Sequence, residues 1–439
     1  IYGEGKVWSL AATQWTYNGG EGLPATVASL IDLKGREVDV LLPSHGGVIT
    51  APAKAIDLLV QRLVELMRLR NQNPRLLKFI DHPYERITPH LLRSRQHVAN
   101  TFVLLAESGK ALLIDYGYDL MTGMPEGTDQ FGRRPWLYSI PVLKREFGVR
   151  QIDVVIPTHY HDDHVAGINL LRRVEGAEGW AAENVAAILE NPSHFDLPCL
   201  WYEPIQVDKR IPLNETVQWE EYELSIFGLP GHTLYAAAIG FNVDGVHVLA
   251  SGDQYSGNDG VEMNYVYQNR FRSADYRLTA ELYAQIKPDL ILSGHWEPLW
   301  VKDALFWSQL RERGAALERL HNDLLPEEIA GFGAEGFGVR IQPYQVSVES
   351  GSTITYRVEV TNPFNHTADA TLKLVTPDCW APAPGPVRIH LAALERKSIE
   401  LSVQTPHGVT ARRERIAVEL TVDGRSFGHQ AEALVTLHQ

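Results

Sequence analysis

Seven consecutive residues constrain this chain more than anything else in it: Thr158-His159-Tyr160-His161-Asp162-Asp163-His164. They follow an apolar run of strand type at 152–157 and precede a helical pattern at 165–173. In an extended segment, side chains two apart share a face, so His159 and His161 can reach one ion. The turn into the helix then presents Asp163 and His164 to a second ion. Asp162 is read as a solvated neighbour. Imidazoles and carboxylates suit zinc, and they also accept iron or manganese. The ordinary alternative is a solvated His-rich loop. The spacing His-x-His-x-Asp-His is too specific to favour it.

The chain has 439 residues, enough for about three domains of roughly 150 residues. Hydrophobic residues make up 44% and charged residues 21%, which leaves ample material for buried cores. A net charge of −14 weighs against a nucleic-acid binder, which needs a basic stripe for phosphates. There is no run of 18 apolar residues, so no membrane span is read. Cys199 and Cys379 are too few for a disulfide framework or a Cys-rich zinc site. Ile1 is not an initiator Met, and no charged and then apolar leader follows it. A removed leader, a removed larger piece or a fragment is therefore expected, and the compartment stays open.

Three stretches differ in pattern. Residues 1–78 end in a helical segment at 52–70, with Ile56, Leu59, Val60, Leu63, Leu66 and Met67 at helical spacing. Residues 79–337 mix strand-type runs (102–105, 111–115, 154–157, 224–229, 246–250) with helical ones, including 302–320, and read as α/β. Gly331, Gly333, Gly336 and Gly338 mark a linker. Residues 338–439 then alternate with period two at Ile354, Tyr356, Val358 and Val360, and again at Ile416, Val418, Leu420 and Val422. About seven short strands of this kind imply a β-sandwich, and they resemble immunoglobulin-like accessory domains. A repeat also emerges. The run 38–49, which contains His45, aligns with 288–299, which contains His295. Each reads as a buried strand ending at a His and followed by a helix. Residues 1–78 are thus read as the tail of an earlier copy of the central unit, with His45 not a metal ligand. A second chain could supply the missing half, so a homodimer is one expected assembly.

The central motif resembles the hallmark of the metallo-β-lactamase superfamily. Further motifs follow in that family's order: Gly228-Leu-Pro-Gly-His232-Thr, Leu249-Ala-Ser-Gly-Asp253 and Leu292-Ser-Gly-His295. The resemblance spans about 86–321. It implies an αββα sandwich with metals at the sheet edge, followed here by the all-β C-terminal unit. By the same resemblance, His159, His161 and His232 hold a first zinc ion. Asp163, His164 and His295 hold a second, and Asp253 bridges them, with Asp163 and Asp253 as the catalytic carboxylates. The implied activity is hydrolysis of a small-molecule ester, thioester, lactone or related substrate by zinc-activated water. Two other classes compete with it. One is a mononuclear iron dioxygenase acting on a thiol or persulfide, and the other is a non-catalytic binding protein. Tyr255, Tyr265, Tyr267, Trp296 and Trp300 are candidate pocket walls, with core packing as the ordinary reading.

Overall fold

The computed structural model describes every residue except 8, 14–22, 71–81, 95, 120–134, 267, 326–337, 379 and 381–384. Three of the linker glycines, together with Tyr267 and Cys379, lie outside the described residues.

Helices α1 (Leu23–Gly35) and α2 (Pro52–Leu69) precede the central strands. Strands β1 (Tyr84–Thr88), β2 (Leu91–Ser94), β3 (Thr101–Leu105), β4 (Lys110–Ile114), β5 (Gln151–Ile156), β6 (Glu178–Ala182) and β7 (Lys209–Ile211) form one sheet in that order. It is antiparallel from β1 to β4 and parallel from β4 to β7. The second sheet is built from β8 (Glu215–Trp219), β9 (Tyr222–Gly228), β10 (Ala237–Val243) and β11 (Val246–Gly252), with two later strands. A small hairpin of β12 (Tyr255–Ser256) and β13 (Glu262–Met263) comes between, and β14 (Leu290–Ser293) and β15 (Leu299–Trp300) then complete the order β15-β14-β11-β10-β9-β8.

Alternation explains why these sheets face each other. Ile239, Val248, Ala250, Leu290 and Leu292 point into a core shared with Leu112, Ile114, Val154 and Ile156 of the first sheet. Their neighbours Ala238, Leu249 and Ile291 point outward, under α7 (Asp275–Ile286) and α8 (Leu305–Leu324). The first sheet carries α3 (Ile140–Glu146), α4 (Asp162–Val165), α5 (Ile168–Glu175) and α6 (Glu183–Glu190) among its connections. The architecture is therefore two facing sheets with helices, as the α/β reading expects.

The helix expected at 165–173 is broken. One turn ends at Val165, and α5 starts afresh at Ile168. The cause is Gly167, where a Cβ would lie 2.4 Å from the Tyr116 ring and 2.7 Å from Gly117 O. The chain after β4 passes directly against this point, and Gly167 N donates to Tyr116 O at 2.9 Å. Sequence periodicity cannot see such a close approach.

Residues 38–42, expected as a buried strand, form no strand. Only a bridge between Leu41 and Ile49 remains, with Val40 and Leu42 47% and 78% exposed. No neighbouring strand pairs with this run among the described residues, so its apolar side chains have no sheet to cover them. Helices α1 and α2 do find partners. Leu23, Val27, Ile56, Leu59, Leu63 and Met67 pack with one another and with Tyr138 of the central region. Isolated helices of this length are marginal in water, and this shared burial supports them.

Downstream lie β16 (Val339–Gln342), β17 (Gln345–Glu349), β18 (Thr353–Thr361), β19 (Ala368–Val375), β20 (Val387–Leu391), β21 (Arg396–Gln404), β22 (Ala411–Val422) and β23 (Arg425–His438). They make two sheets, β16-β18-β21 and β17-β23-β22-β19-β20, over one core. The alternating residues Ile354, Tyr356, Val358 and Val360 all point into it, as do Ile416, Val418, Leu420 and Val422. This all-β unit touches the central region: Tyr344 N donates to His194 O at 3.0 Å, and Arg340 Nη1 donates to Tyr235 Oη at 3.3 Å. A cavity of about 350 Å³ lies at that junction. No helix among the described residues is long and apolar enough to cross a membrane.

One buried group makes stability depend on pH. His97 is buried, beside Tyr116 and bridged to Asp119, with Nδ1 3.0 Å from Thr101 Oγ1. Burial lowers its pKa to about 3, against a smaller opposing effect from Trp136. Below pH 6.5 the unfolded chain takes a proton that the folded one refuses, so stability falls as pH falls toward 3. Between pH 7 and pH 5 this amounts to about 2 kcal/mol. Urea denaturation of wild type and His97→Gln at both pH values should show wild type losing that much more. Parallel losses would contradict it.

Candidate metal centre

The site forms where strands of both sheets end. After β5, Thr158 O accepts from Ala237 N at 2.8 Å, and His159 bridges Ala236, so the two sheets are tied together at the motif. His161 is still extended, with φ −61° and ψ 143°, and α4 begins at the next residue. Extended backbone places His159 and His161 on one side, and the first helical turn places Asp163 and His164. His232 follows β9, Asp253 follows β11 directly, and His295 follows β14. All seven side chains therefore converge from the C-terminal ends of four strands.

They fall into two groups, His159, His161 and His232, then Asp163, His164, Asp253 and His295. Within each group the candidate ligand atoms lie within 4.8 Å of one another. His161 Nδ1 is 3.2 Å from His232 Nε2. His295 Nε2 is 3.2 Å from Asp163 Oδ2 and 3.1 Å from Asp253 Oδ2. The Asp253 carboxylate also reaches His164 Nε2 at 3.3 Å and His232 Nε2 at 3.8 Å, so it stands between the groups. Gly294 makes room for it: a Cβ there would fall 2.2 Å from Asp253 Oδ1. No other group of this kind occurs among the described residues, and His45 belongs to neither.

Each imidazole has one nitrogen tethered and one facing the cluster. His159 Nδ1 meets Thr158 Oγ1 at 3.1 Å, and His161 Nε2 meets Asn269 Oδ1 at 3.2 Å. His164 Nδ1 meets Asp115 Oδ2 at 2.9 Å. His232 Nδ1 donates to Asn264 O and His295 Nδ1 to Val98 O, both at 3.1 Å. Such outer partners fix ring orientation in metal sites. The inward atom His159 Nε2 is buried with no hydrogen-bond partner, while His164 Nε2 and Asp253 Oδ1, also buried, lie 3.3 Å apart without forming a well-aligned hydrogen bond. Buried polar atoms left this way are costly, and a cation would satisfy them. The donor set therefore fits metal.

The electrostatics divide along the same line. Burial, reinforced by neighbouring imidazoles, holds His159 well below the ordinary range and His161 at about 4. Both are thus neutral, as metal ligation requires. Burial also acts on His164 and His295, but the carboxylates outweigh it. Asp115, Asp163 and Asp253 hold His164 well above its usual value, and Asp253 and Asp163 raise His295 to about 10. The same pairings hold Asp253 well below the carboxylate range despite its burial. The same carboxylates that favour positive charge on the His164 and His295 rings would favour a cation between them.

Asp162, read as solvated, is buried, and its Oδ1 accepts from Asp163 N at 3.1 Å. Tyr255 is no pocket wall: it packs in the outer core against Tyr276 and Tyr283. Trp296 and Trp300 are exposed, Trp296 next to His295, whose side chain is 31% exposed. That side is the open one. The sequence motifs do not reveal the tethers. Asp115, closing the apolar run of β4, has a local signal, whereas Asn269 in irregular chain has none.

Residues 95–295 match the family model of the metallo-beta-lactamase superfamily. That match takes in all seven side chains of the candidate metal centre, so this part of the chain is similar to that superfamily. No curated protein is significantly similar to it. Among solved structures, a metallo-β-lactamase with a HARLDQ motif from Cronobacter sakazakii is 17% identical, with a TM-score of 0.40 over 54% of this chain and 93% of that one. A class B3 di-zinc metallo-β-lactamase from an Alaskan soil metagenome is 14% identical, with a TM-score of 0.40 over 55% and 94%. A subclass B3 metallo-β-lactamase of Bradyrhizobium japonicum is 18% identical, with a TM-score of 0.37 over 55% and 93%.

Proposed function

We propose that the chain is a dinuclear zinc hydrolase of a small-molecule ester, thioester, lactone or related substrate. The observation that carries this reading is the pair of side-chain groups with Asp253 between them. His159, His161 and His232 would hold the first ion, and Asp163, His164 and His295 the second. Zinc held there supplies Lewis acidity and a water acidified toward about pKa 7. Asp253 sets the spacing of the two halves. Asp163, on the open side, and Asp253 accept hydrogen bonds that orient the attacking water. The second group favours two ions over the mononuclear iron of a dioxygenase.

The accessory parts are read in the same terms. The two C-terminal sheets are proposed as an immunoglobulin-like sandwich over 338–439, following the catalytic unit at 79–337. Residues 1–78 are proposed as a partial repeat of its last part. The Leu41–Ile49 bridge and the Ile291–Leu299 pair share one 250-residue offset. At about that offset, α1 and α2 stand where α7 and α8 stand.

The test combines metal analysis of protein purified without added metal with a panel of lactones, thioesters, β-lactams and phosphodiesters. About two zinc ions per chain and turnover of a carbonyl substrate are expected. A single iron ion with oxygen uptake on a thiol or persulfide would move the assignment to the dioxygenase. No transition metal at all would leave a binding protein.

A further inference from the structure

We propose that Asn269 is the positioning residue for the first metal's half of the site, an inference that rests on the dinuclear reading above. Asn269 is buried in the chain between the bridging carboxylate and α7. Its Oδ1 accepts from His161 Nε2–H at 3.2 Å and from Tyr160 Oη–H at 3.1 Å. Its Nδ2 donates to His232 O at 2.8 Å. One amide therefore holds two of the three side chains expected on the first ion, His161 by its ring and His232 by its backbone. Because Nε2 of His161 carries the proton, Nδ1 is left as the lone-pair donor, 3.2 Å from His232 Nε2. The three bonds of the Asn269 amide all run to the motif's Tyr160 and to the first group, so its effect should be one-sided.

The backbone is arranged to bring this amide inward. Gln268, just before it, has φ +63°, a left-handed conformation that costs a non-glycine residue free energy. Asn269 N closes a turn onto Val266 O at 3.1 Å. On the other side, Arg270 O accepts from Leu234 N at 2.9 Å, two residues past His232. Arg270 Nη2 donates to Asp196 O at 3.3 Å. The loop carrying Asn269 is thus tied to the His232 loop through Leu234 N and His232 O, and to a separate segment through Asp196 O. An Asn that only filled space would need neither the strained turn nor three directed bonds.

The test measures each ion separately, by zinc titration against a competing chelator, in wild type and in Asn269→Ala. The first ion should weaken by about 10- to 100-fold and the second by less than about threefold. Repeating the titration in a His295→Ala background, where only the first group is intact, assigns the step. Asn269→Asp keeps the acceptor for His161 and should keep first-ion affinity within about threefold of wild type, which separates positioning from folding. A readout free of metal is nitrogen-15 NMR of the histidines: His161 should be the Nε2–H tautomer in metal-free wild type and a mixture in Asn269→Ala. Equal weakening of both ions, or an unchanged tautomer, would overturn the positioning role alone. Wild type that binds no zinc would overturn the dinuclear reading, and this inference with it.

Discussion

Replacing Asp253 with Ala is expected to leave the protein folded and to remove its hydrolysis. The carboxylate lies 3.1 Å from His295 Nε2, 3.3 Å from His164 Nε2 and 3.8 Å from His232 Nε2, so both groups lose a donor at once. The residue sits just past the end of β11 and is a member of none of the hydrophobic clusters that make the cores. Activity should fall by more than the roughly 100-fold that loss of an outer partner can cost. Each ion keeps three protein donors but loses the shared carboxylate, so both should bind more weakly and metal content should fall below two ions per chain. His161→Ala should differ, with the first ion lost and the second kept. Circular dichroism, elemental analysis and turnover on one preparation decide the matter. An Asp253→Ala protein that keeps both ions and its rate would refute the bridging role.

The candidate site and much of the fold are legible in the amino-acid sequence, for physical reasons that also mark where legibility stops. His159, His161, Asp163 and His164 sit within six positions, so local backbone geometry alone brings them together. Residues 354–360 and 416–422 alternate strongly because each strand has one wet face and one dry face. Strand β19 is less visible, since Ala368 and Ala370 fill inward positions with weak apolar signals. The tethers on the imidazoles are invisible for a different reason. Val98 O, Asn264 O and Asn269 Oδ1 reach their histidines across 197, 32 and 108 positions, and two of the three are backbone atoms that any residue would supply. The run at 38–42 misleads because an apolar run of strand type says nothing about whether a partner strand exists.

Asp115→Ala is expected to be the most destabilising single change near the site. Asp115 is buried, and its Oδ1 accepts from Thr158 N at 2.7 Å while Oδ2 pairs with His164 Nδ1 at 2.9 Å. Thr158 Oγ1 donates to it as well, at 3.0 Å to Oδ2. These bonds join the end of β4 to the start of the motif. Removing the carboxylate leaves a buried imidazole whose charge it supports, and breaking one side of such a buried pair costs about 3–5 kcal/mol. The stranded Thr158 N–H and an alanine forced to φ +60° act in the same direction. Asp115→Asn should be milder, because Asn tolerates that φ and keeps one acceptor oxygen, though it cannot serve Thr158 N and His164 equally. Both variants should weaken the second ion by about 10- to 100-fold, because His164 Nε2 is aimed only through Nδ1. Urea denaturation of metal-free protein isolates the first effect, and zinc titration isolates the second. An Ala variant within about 1 kcal/mol of wild type would show that the carboxylate serves orientation alone.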